Sequence, residues 1–329
     1  MRFTGALGLL SLLLASDLVQ GAHVYRLKSK VKGSSLLKAF SFETGHADNN
    51  GRANYLSLKS AKSNGLISTN KKGAVTLKVS TKNGQTYRDS QRLVSKTAYS
   101  KGGLFIFDVA HIPTGCGLWP AIWMVGPNWP SGGEIDIIEG VHAITQNSMS
   151  THTGSGCVQQ TSGFSGKFMM NTQLRNQCDI YQTSAQGCGV RSSSKSSYGA
   201  PFNNKGGGVY AVQWDSNGIK TYHWSRKSIP ADVKAGKPKP SSKWGKPDNF
   251  VHYSKCSPYK HFKELRIVIN SNLCGTWGSG VWSQDLSYAG SPGSCKAKTG
   301  YSTCEAFVKS KGSAFKDAYW KINSIAVYK

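Results

Sequence analysis

Acidic residues are scarce in this chain: Asp and Glu number 16 against 41 Lys and Arg, a formal net charge of +25. So basic a surface is drawn to anionic polymers, and nucleic acid is the first to consider. Yet the lysines are scattered from Lys28 to Lys329, with no module in which basic and aromatic residues interleave. Nucleic acid is therefore not expected as a partner. A solvated basic surface that aids solubility, or that adheres to acidic wall polymers, is the expectation instead. Long apolar stretches are also missing beyond the N-terminus. The one run, 6–15, follows Met1 and Arg2 and is too short to span a bilayer. It reads as a secretory signal peptide, 1–21, cleaved after Gly21, and predicts a secreted protein located outside the cell or in its wall. No membrane partner is expected.

Several chemistries lack their motifs. There is no Gly-x-Ser-x-Gly elbow and no His-Glu-x-x-His. Gly206-Gly207-Gly208 has no Lys-Ser/Thr behind it and reads as a turn rather than a phosphate loop. His142, His152 and Cys157 lie near one another in sequence, but without a Cys-x-x-Cys pair a zinc site is not expected. No Asn-x-Ser/Thr sequon occurs, so N-glycosylation is not expected. Long helical patterns are nearly absent, with 303–310 at best a short helix.

What is present is β-strand pattern, glycine and cysteine. All 8 cysteines lie in the mature part, and an even count behind a signal peptide predicts up to four disulfides whose pairing sequence leaves open. Alternating or β-branched stretches recur at 74–80, 104–111, 121–125, 209–214, 219–224, 265–270 and 319–328. Asn217-Gly218 separates two of them and predicts a hairpin. With 37 glycines, the pattern predicts an all-β sandwich. Two long irregular regions, 154–208 and 226–250, interrupt it. They read as functional walls or disulfide-tied excursions, and 22–329 reads as a single domain without internal repeats.

The chemistry concentrates in Gly-Glu-Ile-Asp-Ile-Ile-Glu-Gly at 133–140. On a strand, Glu134 and Asp136 share one face, while Glu139, at an odd offset, would point the other way. A bulge within Ile137–Ile138 would return Glu139 to the shared face. The two glutamates would then stand roughly 13 Å apart along the backbone. Side chains leaning together could bring the carboxyls to about 5–6 Å, the retaining geometry of glycoside hydrolysis. Asp136 between them would hold a proton or hydrogen bond and keep one partner's pKa high. A calcium site would want more oxygen ligands than this strand offers. Trp119, Trp123 and Trp129 precede the acids, and Trp277 lies in Cys274-Gly275-Thr276-Trp277. Sugar rings stack on indoles, so tryptophans beside paired acids suggest a carbohydrate cleft. Trp119 and Trp123 share a strand face, so both line the cleft or both are buried.

These residues resemble the signature of glycoside hydrolase family 16, in the version with an extra residue before the second glutamate. The segments 113–123, 126–130, 151–153, 228–232, 244–247, 267–270, 274–277 and 318–323 are similar to those of the fungal endo-1,3(4)-β-glucanases. The resemblance implies a concanavalin A-like β-jelly-roll sandwich with an open cleft and a catalytic domain over 22–329. It also implies an endo-acting, retaining β-glucanase. By it, Glu134 is the nucleophile, Asp136 its assistant and Glu139 the acid/base, roles that spacing alone did not assign. Arg92, Trp129 and His152 would contact sugar, with Trp119, Trp123 and Trp277 near the cleft. Thr276 and Gln213 depart from the acids relatives often carry there. The expected partner is β-glucan, acted on by a monomer. No cofactor or metal is expected, a structural calcium being left open. Transglycosylation by the same glutamates, or glucan binding without catalysis, are the alternative readings.

Overall fold

The computed structural model describes residues 24–329, so the expected signal peptide lies outside the described residues. Two antiparallel sheets of eight strands pack on one core. The front sheet runs Lys167–Phe168, Cys188–Arg191, Ser148–His152, Glu134–Glu139, Leu118–Val125, Arg266–Leu273, Arg92–Ser95, Phe40–Glu43. The back sheet runs Asn249–His252, Gly218–Ser225, Gly208–Asp215, Gly103–His111, Tyr319–Tyr328, Val75–Lys78, Ile67–Thr69. Leu27–Val31 also pairs with Tyr319–Tyr328. Neither sheet closes into a barrel; the molecule is the jelly-roll sandwich that the sequence implied. Among the described residues no helix is long and apolar enough to cross a membrane.

Strand alternation explains the packing. On Gly103–His111, Phe105, Phe107 and Val109 enter the core between the sheets, while Leu104 and Ile106 join a second cluster behind the back sheet. Tyr210, Val212 and Trp214 divide from Val209 and Ala211 in the same way. Each large aliphatic side chain buried so contributes about 1.5–3 kcal/mol. On Tyr319–Tyr328, Ile322 and Ile325 both reach the core despite their odd offset, because the register shifts between Ile322 and Ser324. The irregular region 226–250 covers the back sheet, with Trp244 and Ile229 in its outer cluster. The region 154–208 is less irregular than expected, since it adds Lys167–Phe168 and Cys188–Arg191 to the front sheet.

The hairpin falls one residue early. Asp215 pairs with Gly218, which leaves Ser216 and Asn217 at the tip. Gly218 has φ +128, and a Cβ there would lie 2.1 Å from the Val251 carbonyl oxygen, so only glycine can close the turn.

The cysteines pair as Cys116–Cys295, Cys157–Cys256, Cys178–Cys188 and Cys274–Cys304. Two of these bonds hold the mostly helical stretch 275–318, which has its own cluster around Phe307, Phe315 and Trp282. Arg88, fully buried, donates to the carbonyls of Ser80, Lys82 and Val308 and lies 4.6 Å over the Phe315 ring. It fastens that stretch to the sandwich through hydrogen bonds rather than an ion pair.

Candidate active site

The acid-bearing strand begins at a forced glycine. Gly133 has φ +77, and a Cβ on it would lie 2.4 Å from the His261 carbonyl oxygen. From there Glu134 pairs with Val125, and Asp136 with Trp123. Ile138 then pairs with Ile122, which leaves Ile137 as the extra residue of a bulge. The bulge falls within the pair of isoleucines where the offset argument required it. Ile135, Ile137 and Ile138 enter the core, and all three acids lie on the outer face.

A bulge breaks a hydrogen-bond ladder, and pairing with Ser148–His152 indeed lapses between Ile135 and Glu139. Asn147 fills the gap. Its Oδ1 accepts from the Glu139 backbone N–H at 2.9 Å, and its Nδ2 donates to the Ile137 carbonyl at 2.8 Å. Asn147 is fully buried, and its own N–H donates to Ser197 Oγ. No motif marked this residue, since it acts through backbone groups eight to ten positions away.

Each acid has its own hydrogen-bond donor. Trp129 Nε1 donates to Glu134 Oε2 at 2.5 Å, and Trp119 Nε1 to Glu139 Oε1 at 2.8 Å. His152 Nε2 meets Asp136 Oδ2 at 3.1 Å. Burial pushes the Glu139 carboxyl up to about 7; the Trp119 bond and the charge of His152 pull it down, and Glu134 pushes it up. Burial also raises Asp136 well above the carboxylate range, reinforced by Glu134 and Glu139 on either side. Burial alone would lower His152, but the hydrogen bond to Asp136 and the charges of Glu134, Asp136 and Glu139 hold it up at about 9. A proton therefore resides in the Asp136–His152 contact at neutral pH.

The other expected residues gather on the same face. Trp119 and Trp123 are both half-buried on it, and Trp277 lies edge-on to Trp119 at 6.2 Å. Trp123 Nε1 donates to Asn270 Oδ1 at 2.8 Å. The Arg92 guanidinium stands 5.0 Å over the Trp123 ring and is paired with Glu43 at 2.6 Å. Asn270 and Glu43 escaped the sequence reading because sheet register, not proximity along the chain, brings them here. Thr276 sits beside Trp277, whereas Gln213 is on the back sheet, bonded to Asp215.

Among the described residues, the one cluster with spacing suited to a metal is Glu134, Asp136 and His152, whose ligand atoms lie within 4.8 Å of one another. Glu134 Oε2 already accepts from Trp129, and Asp136 Oδ2 meets His152 Nε2. His142 and Cys157 are elsewhere: His142 meets the Gly278 carbonyl, and Cys157 is disulfide-bonded to Cys256.

Comparison with known proteins finds relatives over nearly the whole chain. The profile of the XgeA-like catalytic GH16 domain matches residues 40–328. A probable glycosidase of Schizosaccharomyces pombe is 39% identical over 310 residues, covering 93% of this chain and 70% of its own length. An endo-1,3(4)-β-glucanase of Arthroderma benhamiae is 37% identical over 336 residues, covering 100% of this chain and 69% of its own. Laminarinase 16A of Phanerochaete chrysosporium, solved with 6-O-glucosyl-laminaritriose in both donor and acceptor sites, superposes with a TM-score of 0.81. It is 32% identical, over 93% of this chain and 100% of that one. An elongating GH family 16 β-1,3-glucosyltransferase superposes equally well, with a TM-score of 0.81 and 34% identity over the same shares.

Proposed function

The chain belongs to glycoside hydrolase family 16, and from that premise we propose a secreted endo-acting β-glucanase that cleaves β-1,3 and mixed 1,3/1,4 glucan with retention. The observation that carries the reading is the bulged strand, on which Glu134 and Glu139 share a face and each meets a tryptophan indole. Four disulfides suit an oxidising, extracellular setting.

In this mechanism the Glu134 carboxylate attacks the anomeric carbon. The bond from that carbon to the leaving chain breaks, and Glu139 gives its proton to the departing oxygen. A pKa raised to about 7 keeps a large share of Glu139 protonated at neutral pH, where an ordinary carboxyl is ionised. Water then attacks the glycosyl ester, surrenders a proton to Glu139 and releases Glu134. Asp136, with its proton shared with His152, adds no full negative charge between the two glutamates. Trp123 and Arg92 would line the cleft on one side of the acids.

The test is reducing-sugar release from laminarin, lichenan and cellulose by the protein and by Glu134→Gln. Release from the first two, lost in the variant, supports the hydrolase. No release from any of them, with glucan still bound, would reject it. A glucosyltransferase reading has one specific support, the likeness to the elongating enzyme. Products longer than the starting oligosaccharide would favour it.

A further inference from the structure

The front sheet carries one row of directly opposed residues from edge to edge. Glu43 faces Arg92, Arg92 faces Asn270, and Asn270 faces Ala121. Ala121 faces Glu139, Glu139 faces Ser148, Ser148 faces Arg191, and Arg191 faces Lys167. Opposed residues share a sheet face, so all of these lie on the side of the catalytic acids. The opposite face agrees, since Cys188, an odd offset from Arg191 on the same strand, enters the core. On one flank of Glu139 the row leads to Arg92, over Trp123. On the other flank Arg191 stands 4.8 Å over the ring of Tyr288, two strand spacings or about 10 Å from Glu139.

The half-buried Arg191 side chain meets a ring but makes no hydrogen bond. Its Nε is buried without a hydrogen-bond partner, and no ion pair or hydrogen bond to its side chain occurs among the described residues. The hydroxyl of Ser148, next to it in the row, is likewise buried and unpartnered. A partly desolvated guanidinium left unpaired is costly, and a ligand oxygen would relieve it. Tyr288 is 58% exposed, which leaves its ring open to a flat apolar surface. Its segment is clamped in place: the Thr145 N–H donates to the Ala289 carbonyl at 2.9 Å, and a Cβ on Gly290 would lie 1.9 Å from Thr145 Oγ1. An arginine with free donors beside a fixed, exposed ring matches a sugar, which offers hydroxyls at its edge and C–H groups on its face.

We propose that Arg191 and Tyr288 form a glucosyl-binding subsite for the leaving, or acceptor, chain. Each glutamate has an opposed residue on both flanks, Val125 and His152 for Glu134, Ala121 and Ser148 for Glu139, so the side is set by where the stacking contacts lie. Arg92 leans out of its row over Trp123, which pairs with Asp136 toward the Glu134 end of the strand, and Trp129 bonds Glu134 itself. The sugar that becomes bonded to Glu134 therefore has its contacts on that flank. Ser148 directly opposes Glu139 on the other flank, with Arg191 next beyond it. With the Arg92–Trp123 flank given to the sugar that bonds Glu134, the chain whose oxygen Glu139 protonates is assigned to the Arg191–Tyr288 flank. This assignment deepens the proposed function and rests on it, because it takes Glu139 as the acid/base.

The test compares kcat/KM on two substrates for the protein, Arg191→Met and Tyr288→Ala. One substrate is laminariheptaose, which places sugar on both sides of the scissile bond. The other is a nitrophenyl β-laminaribioside, whose leaving group carries no sugar. The ratio of the first kcat/KM to the second should fall about tenfold or more in Arg191→Met, the cost of losing charged hydrogen bonds to the sugar. Tyr288→Ala, at an exposed position, should lower the ratio in the same direction. An unchanged ratio in both variants, whether each activity holds or both fall together, would overturn the subsite. A wild-type protein inactive on both substrates would instead reject the proposed function.

Discussion

At the residue scale, the acid cluster of the candidate site was legible because it is local: six consecutive residues of one strand carry all three acids. Their protonation was not, since it depends on donors that folding brings in. The Trp119 indole stabilises the ionised Glu139 and so holds its pKa down. Trp119→Phe removes that donor, and Glu139 should then keep its proton to higher pH. If Glu139 is the acid/base, as proposed, the alkaline limb of kcat/KM follows loss of its proton and should move upward in the variant. A limb that stays put or moves down would refute the assignment. Stability carries the same sign. The folded Glu139 pKa lies above its ordinary value of 4.5, so its contribution is present below that value and is lost as pH rises through about 7. Glu139→Gln cannot ionise, and its melting temperature relative to wild type should rise across that window. Thermal melts at pH 4 and pH 8 check this.

At the element scale, alternation located the long strands, including Tyr319–Tyr328 to the residue. It missed Ser148–His152, whose polar residues are buried on both faces and show no apolar pattern. It also missed short helices such as Gly33–Ala39, where only Leu36 and Leu37 supply apolar burial. The bulge was inferred from an odd offset, but its support by Asn147 required the fold. Asn147→Ala leaves the Ile137 carbonyl and the Glu139 N–H without partners, at about 1–3 kcal/mol for each buried group. Because Asn147 acts by positioning, the variant should lose kcat more than it raises KM and should change the alkaline limb of its pH profile. A stability loss with both kinetic constants and the pH profile intact would leave Asn147 with a structural role only. The disulfide Cys274–Cys304 poses a second question of element anchoring. It closes a 30-residue separation, worth about 3–4 kcal/mol by chain entropy. Cys274 also precedes the helix that carries Trp277. Replacing both cysteines by serine should lower the melting temperature and raise KM for laminarin together, as Trp277 loses its anchor. An unchanged KM would separate the disulfide from the cleft.

At the scale of the whole molecule, the sandwich places neutral-sugar chemistry on a strongly basic body. The net charge is +25, yet the described residues hold only two lysine- or arginine-carboxylate ion pairs, Arg92–Glu43 and Arg226–Asp108. Most of the positive charge therefore faces solvent uncompensated, where it attracts polyanions at low ionic strength. Glucan is uncharged, so this field does little for substrate capture, and the two interactions should respond differently to salt. At about 1 M salt the screening length shrinks to roughly 3 Å, and attraction between exposed charges is largely lost. The protein should thus be retained on a polyanionic matrix in dilute buffer and released by about 1 M NaCl. Its kcat/KM on laminarin should change little over the same range. Retention that survives high salt would show a contact other than charge, and a parallel fall in laminarin hydrolysis would tie the basic surface to the reaction itself.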